Sequence, residues 1–407
     1  MLEVAAVDAH AAEDAASIAP ADAATQSSAA AAPRLLYIDN VRWVMITLVL
    51  GMHAADTYSP LGNWYYQDHP RLGPASTLFF VTFQAVLQGF FMALLFFIAG
   101  YFAAASYDRK GPRAFMAGRL YRLGLPTALY VFAIGPVTEY YIAHSWHTHQ
   151  SFAHEMVLYL TRGRFLSGTG PMWFCAALLI FCAAYALWRA VAPTRTRRPA
   201  RERRVGAAGV AATVAALAVT TFLTRLWAPS GASVFNMQPG DFPSYILMFA
   251  LGLAASRWRW IERVDDRFAL VAAGVCVGVA MAAWTPLLAL GGALGGQSAA
   301  YGGGLTWQSA AMSCWEALIC VGASFGVLAG FRVWVGRRGR IAKLMSDNAF
   351  AVYVLHPPVL VGVAVLLTPV DLAPVAKFAL LWAVSALACF AVAAPIARRM
   401  PLLGRIL

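Results

Sequence analysis

Charge is what this chain has least of. Only 12% of its 407 residues are Asp, Glu, Lys or Arg, against 60% hydrophobic. A soluble domain of this length does not carry those proportions, so the chain reads as an all-α, polytopic integral membrane protein. The first 33 residues lack Lys and Arg altogether, and with them the basic start of a secretory leader. Rich in alanine and carrying five acidic residues, residues 1–33 are expected to be a disordered cytoplasmic tail ahead of a membrane domain at 34–407. The first membrane helix then doubles as an uncleaved insertion signal. Six cysteines (Cys175, Cys182, Cys276, Cys314, Cys320, Cys389) form no CxxC pair and no metal-type spacing, and read as small buried hydrophobes.

Basic residues exceed acidic ones by 31 to 19, an excess that can indicate nucleic acid. Here they fall in short clusters between apolar runs, where they act as topology signals, and nucleic acid is set aside. The apolar runs lie near 38–57, 76–106, 119–141, 170–191, 206–227, 242–257, 268–290, 308–330, 347–367 and 374–397. About ten transmembrane helices follow, with the N- and C-termini cytoplasmic. That count places Arg109 to Arg113, Arg195 to Arg204, Arg257 to Arg267, Arg332 to Lys343 and Arg398 to Arg405 on one side. The other side keeps only Arg71, Arg162, Arg164, Arg225 and Lys377, as the positive-inside rule requires. The basic run at 195–204 reads as an inside-retention signal, with anionic lipid as the alternative partner. The location expected is the cell (inner or plasma) membrane, multi-pass, with the lipid bilayer as solvent.

Within so apolar a chain, ionisable groups inside the spans carry information. Arg42 and His53 share the first run, Asp39-Asn40-Val41-Arg42 to His53, and eleven residues of helix separate them by roughly 16 Å. A charge near the bilayer centre costs on the order of 3 kcal/mol on insertion scales, so both are expected to face protein or water. Asp39 and Arg42 stand at i and i+3 and are placed to pair. Arg119 and Arg122, in Arg119-Leu-Tyr-Arg122-Leu-Gly-Leu-Pro126, stand on one helix face. They fit either a topology signal or a site where two guanidinium forks meet a polyanion. His356 precedes Pro357 and Pro358, where a helix is expected to kink or open, and Ser346-Asp347-Asn348 reads as the N-cap of that helix. His356 is a ligand, an acid or base, or a helix–helix hydrogen-bonding group. Glu316 is the acidic residue well inside the eighth run, paired structurally or catalytic; Glu139 is a weaker candidate. The loop containing His144, His147, His149 and His154 lacks a Cys or Asp to complete a metal set, and no metal is expected.

Taken in order, five pieces resemble the membrane-bound acyltransferase type 3 family. They are Ile38-Asp39-Asn40-Val41-Arg42 with His53, Phe96-Phe97-Ile98-Ala99-Gly100-Tyr101-Phe102, the Arg119/Arg122 pair with Gly124 and Pro126, Met172-Trp173-Phe174, and Tyr353-Val354-Leu355-His356-Pro357. The likeness is nearest to the branch containing the periplasmic-glucan succinyltransferase. It implies transfer of an acyl group from acyl-CoA, as donor substrate and not as a permanently bound cofactor, to a hydroxyl of a glycan or related extracytoplasmic acceptor. It places His53 at the reacting centre and associates Arg119 and Arg122, with Arg42 as a further candidate, with the acyl donor. Trp173 and Asp39 are supporting residues in that reading. A neutral His53 would act as general base or, alternatively, form an acyl-histidine intermediate, with Glu316 as first choice to orient it and Asp56, one turn further on, as second. The rival of a different class is a transporter or flippase of a small polar or lipid-linked substrate. Transport predicts paired broken helices in two related halves, and no second half repeats the pattern here.

Overall fold

The computed structural model describes residues 35–62, 64–68, 70–145, 151–192, 205–336 and 339–399. The acidic tail, the basic run at 195–204 and the loop histidines His147 and His149 lie outside them. Every one of the ten apolar runs is helical, and among the described residues there is no strand beyond one isolated bridge between Val234 and Met237.

In chain order the helices are α1 (Leu36–Tyr58), α2 (Pro74–Arg119), α3 (Leu125–Leu129), α4 (Gly135–Ser145), α5 (Phe152–Thr161), α6 (Trp173–Val191) and α7 (Ala207–Arg225). They continue as α8 (Phe242–Trp258), α9 (Trp260–Arg263), α10 (Asp266–Leu290), α11 (Ala299–Gly302), α12 (Trp307–Trp334), α13 (Arg340–Leu367) and α14 (Pro374–Arg399). Seven helical stretches are long and apolar enough to cross a membrane. The first, Pro74–Tyr141, has 68 residues, and a straight helix of that length would run about 100 Å, over three times the hydrocarbon thickness. Gly111, at φ 74° and ψ 171°, breaks it. Only glycine takes that backbone without strain.

Between α2 and α4 the helix widens twice into π-turns, at Leu120–Gly124 and Tyr130–Ile134. Each ends two residues ahead of a proline, Pro126 or Pro136. A proline has no amide to give the carbonyl four residues back, so the bond pattern slips to i→i+5: Leu125 N–H reaches Leu120, and Gly135 N–H reaches Tyr130.

Where helices meet, small residues decide how close they come. Gly100 of α2 and Gly252 of α8 face each other's backbones. A Cβ on Gly100 would lie 2.2 Å from the Phe249 carbonyl oxygen, and one on Gly252 would lie 2.1 Å from that of Phe97. In lipid, where apolar surface gains little by leaving its solvent, such close backbone packing is a main source of helix association. Around the site, α1, α13 and α14 bury a core of Ala54, Ala55, Tyr58, Leu360, Val361, Phe378 and Leu381, with Tyr66 and Phe80.

One boundary differs from expectation. α13 begins at Arg340 with extended Gly339 at its N-cap, so Ser346-Asp347-Asn348 is helix interior and not a cap. Asn348 bonds back to the Leu344 carbonyl at 2.7 Å, which removes it from capping use. The helix also continues through Pro357 and Pro358 without interruption.

Candidate active site

His53 stands in the last two turns of α1, partly accessible, with 21% of its side-chain surface exposed. Three residues on, Asp56 lies on the same face of the helix. Its Oδ2 is 3.1 Å from His53 Nδ1, and its Oδ1 accepts from Gln84 Nε2 of α2 at 2.6 Å. Asp56 and Gln84 are both buried. With the carboxylate accepting at Nδ1, a neutral imidazole carries its proton there and leaves Nε2 with a bare lone pair. That is the tautomer a general base needs.

The loop after α1 closes over this pair. Gly62, at φ +96°, passes so near the carboxylate that a Cβ would lie 2.3 Å from Asp56 Oδ1. Trp64 stacks on the His53 imidazole with centroids 3.8 Å apart. The next residue, Tyr65, bonds Tyr130 hydroxyl to hydroxyl at 2.9 Å, and burial pushes its phenol above the ordinary range, so it stays a neutral hydroxyl. Gly170, at φ +47°, leaves room for both phenols; a Cβ there would sit 2.5 Å from Tyr65 OH.

His356 comes to the same place from α13. Its ring lies nearly parallel to that of His53, with centroids 5.4 Å apart, and is fully buried. Pro357 explains its orientation. The missing amide of Pro357 frees the Tyr353 carbonyl, and His356 Nδ1 occupies that carbonyl at 2.7 Å. A carbonyl can only accept, so Nδ1 donates and Nε2 is an acceptor, buried and without a hydrogen-bond partner among the described residues. Tyr353 is itself fixed by its hydroxyl, which donates to the Pro171 carbonyl.

Glu316 is elsewhere. Its Oε2 lies 2.9 Å from Arg225 Nη1, and Arg225 Nη2 is 2.9 Å from Asp241 Oδ1. Gln88 Nε2 donates to the other Asp241 oxygen at 2.8 Å and reaches Tyr245 OH at 3.3 Å. The expectation that Glu316 orients His53 is therefore replaced. The carboxylate on the imidazole is Asp56, because Arg225, at the end of α7, holds Glu316 in a separate ion-pair cluster.

The remaining candidates are dispersed. Arg119 ends α2, half-buried, with its guanidinium 5.2 Å from the Phe115 ring centre. Arg122, in the first π-turn, is exposed; neither has a carboxylate partner among the described residues. Arg42 is exposed on α1, its guanidinium 5.9 Å from the Phe102 ring centre, and Asp39 is half-buried one turn before it. Trp173 begins α6 and packs 5.5 Å from Tyr245, on the Arg225 side of the molecule rather than against His53. Glu139 takes a 3.2 Å bond from Arg164. Among the described residues no group of three His, Cys, Asp or Glu side chains converges as metal ligands. Gln84 and Trp64 carry no signal in the sequence that would single them out, since both join His53 through tertiary contacts.

Fold and site together define a multi-pass helical membrane protein built around a carboxylate-held histidine. The profile of the family described as acyltransferase domain, type 3, matches residues 35–398. The chain belongs to that family and is a membrane acyltransferase. Comparison with curated proteins and with solved structures returned no match.

Proposed function

We propose that the protein moves an acyl group from acyl-CoA to a hydroxyl of an extracytoplasmic glycan or related acceptor, with His53 as general base. The observation that carries the reading is the Gln84–Asp56–His53 relay, which fixes a lone pair on Nε2 of a partly exposed imidazole. In this mechanism His53 Nε2 takes the hydroxyl proton as the acceptor oxygen attacks the thioester carbonyl. The C–S bond then breaks, and the departing thiolate takes the proton back from the imidazolium. Asp56 stabilises the imidazolium while it lasts and does not itself need to be protonated. The second imidazole, His356, is fully buried beside the first, and its fixed ring helps to hold His53 in place.

Arg119 and Arg122 are assigned to the donor. Guanidinium groups pair with phosphate through two parallel hydrogen bonds, and CoA is a polyphosphate at the end remote from its thioester. Arg42 is the third candidate for the same contact. The topology that goes with this chemistry has ten spans, counting two passes in Pro74–Tyr141 and adding α1 and α8 to the remaining stretches. Both termini are inside, His53 lies toward the outer leaflet, and the membrane is the cell (inner or plasma) membrane.

Purified protein supplied with labelled acyl-CoA tests the reading. CoA release that needs a hydroxyl acceptor, disappears in His53→Ala and requires higher donor concentration in Arg122→Ala is the expected result. Full turnover in His53→Ala would overturn the mechanism.

A further inference from the structure

A second polar site lies at the end of α1 beyond His53. There the loop after α1 meets the loop between α13 and α14, and a pocket of about 250 Å³ opens between them, lined in part by Tyr58, Asp68, Thr368, Val370, Asp371 and Lys377. This approaches the lower end of ligand-pocket sizes, about 300 Å³.

The pocket is built around a charged group taken out of solvent. Lys377, the fourth residue of α14, is 7% exposed. Its Nζ donates to Asp68 Oδ2 at 2.8 Å and to the Thr368 carbonyl at 3.3 Å, and stands 5.7 Å from the Tyr58 ring centre. The two loops are tied by a 2.7 Å bond between Tyr66 OH and Thr368 Oγ1. Tyr58, 1% exposed, has a hydroxyl with no hydrogen-bond partner among the described residues, although a buried hydroxyl ordinarily finds one. Asp371 is exposed on the rim.

Charge and polarity narrow the occupant. With two carboxylates to one ammonium, and that ammonium already paired, an anion would meet net repulsion. The walls offer donors and acceptors on several sides, which suits a group carrying several hydroxyls. Tyr58 follows His53 by five residues, about 7.5 Å along α1, and the loop that lays Trp64 on the imidazole carries Asp68 into the pocket, so a ring seated here leaves a neighbouring ring of the same chain to reach the imidazole.

We propose that this pocket binds a neutral, polyhydroxylated part of the acceptor, a sugar ring adjacent to the one that is acylated. The proposal rests on the acyltransferase reading for the word acceptor, but its test reads binding and needs no turnover. Titration calorimetry of the full chain in detergent would use maltotriose and cellotriose as neutral probes and glucosamine as a cationic one. At least one trisaccharide is expected to bind saturably and more tightly than glucosamine. Val370→Trp, which adds bulk from an exposed loop position without stranding the buried Lys377, is expected to weaken binding about tenfold or more, a loss of about 1.4 kcal/mol. Should that variant misfold, Asp371→Ala on the rim is expected to weaken binding about threefold. The proposal is overturned if neither trisaccharide binds, if glucosamine binds more tightly, or if whichever folded variant is measured binds as the wild type does. Binding lost in the variant without any acyl transfer would keep the pocket and sink the enzyme reading. Transfer to a sugar with binding indifferent to the variant would do the reverse.

Discussion

Two acid clusters invite comparison. At one, Asp56 is held between Gln84 and His53; at the other, Asp241 and Glu316 share Arg225, with Gln88 on the far oxygen of Asp241. Both use a glutamine of α2 and an acid from another segment. The difference is the cationic partner. An imidazole changes charge by exchanging one proton near neutrality and His53 is partly exposed, whereas a guanidinium is permanently charged and Arg225 is 2% exposed. A group that must give and take a proton from a substrate has to be reachable and titratable. Accessibility does not separate the clusters, since Glu316 is as exposed as His53, at 21%; of the two cationic partners only the imidazole can give and take a proton, so the first cluster is assigned chemistry and the second is assigned to holding α7, α8 and α12 together.

The largest effects follow from that division. His53→Ala is expected to lower CoA release by roughly 100-fold to 10,000-fold, the usual worth of a general base, while leaving the melting temperature near that of the wild type. Asp56→Asn should lower the rate in the same direction, because an amide can donate to Nδ1 and favour the wrong tautomer. Arg225→Met is expected to show the opposite profile: about 3 kcal/mol lost in stability from stranding the buried Asp241 carboxylate and the half-buried Glu316, seen as an early thermal transition. Glu316→Gln sharpens the contrast. If it abolished turnover at unchanged melting temperature, the assignment of the two clusters would be reversed.

The contrast also explains what the sequence could and could not reveal. His53, Arg42, Glu316 and His356 stand out from sequence alone because ionisable groups in apolar runs are few. Their partners do not. On sequence alone Glu316 ranks ahead of Asp56 as support for the imidazole, and the order is reversed only because α7 brings Arg225 against Glu316, a contact that no local pattern encodes. The ten helical runs were legible because apolar length is a local property. The start of α13 was not, because Ser346-Asp347-Asn348 has the composition of a cap while the preceding residues, from Arg340 on, are good helix formers. Trp64 escaped notice for a related reason: an aromatic in a loop has no period, and its place on His53 depends on the turn that Gly62 permits.

That turn supplies the next test. Gly62→Ala would put a Cβ on the Asp56 carboxylate in a backbone region costly for alanine. A stability loss of about 1–2 kcal/mol is expected, together with a drop in turnover larger than that loss explains, because the added atom pushes directly on the group that holds His53. Equal turnover per folded molecule would show that Asp56 tolerates displacement and weaken its role. At the donor end the effects should be milder. Arg122→Ala removes an exposed charge and is expected to raise KM for acyl-CoA by about tenfold with kcat nearly unchanged, consistent with one charge-assisted pair of about 1.5 kcal/mol. A salt dependence of KM that persists undiminished in the variant would argue against a phosphate contact.

The smallest effect is expected at Pro357, and it separates the two histidines from each other. Proline inside a helix is destabilising by about 3 kcal/mol where it strands a carbonyl, yet here His356 Nδ1–H takes that carbonyl as its own partner. Pro357→Ala returns an amide to compete for Tyr353, so the helix should become no less stable, and the melting temperature should hold or rise. His356 would then lose its fixed tautomer, and its Nε2 would cease to be a guaranteed acceptor. If the fixed ring helps to hold His53 in place, kcat should fall a few-fold while donor KM stays put. A stabler protein with undiminished kcat would mean that the proline serves the packing of α13 alone, and that His53 works without help from the imidazole beside it.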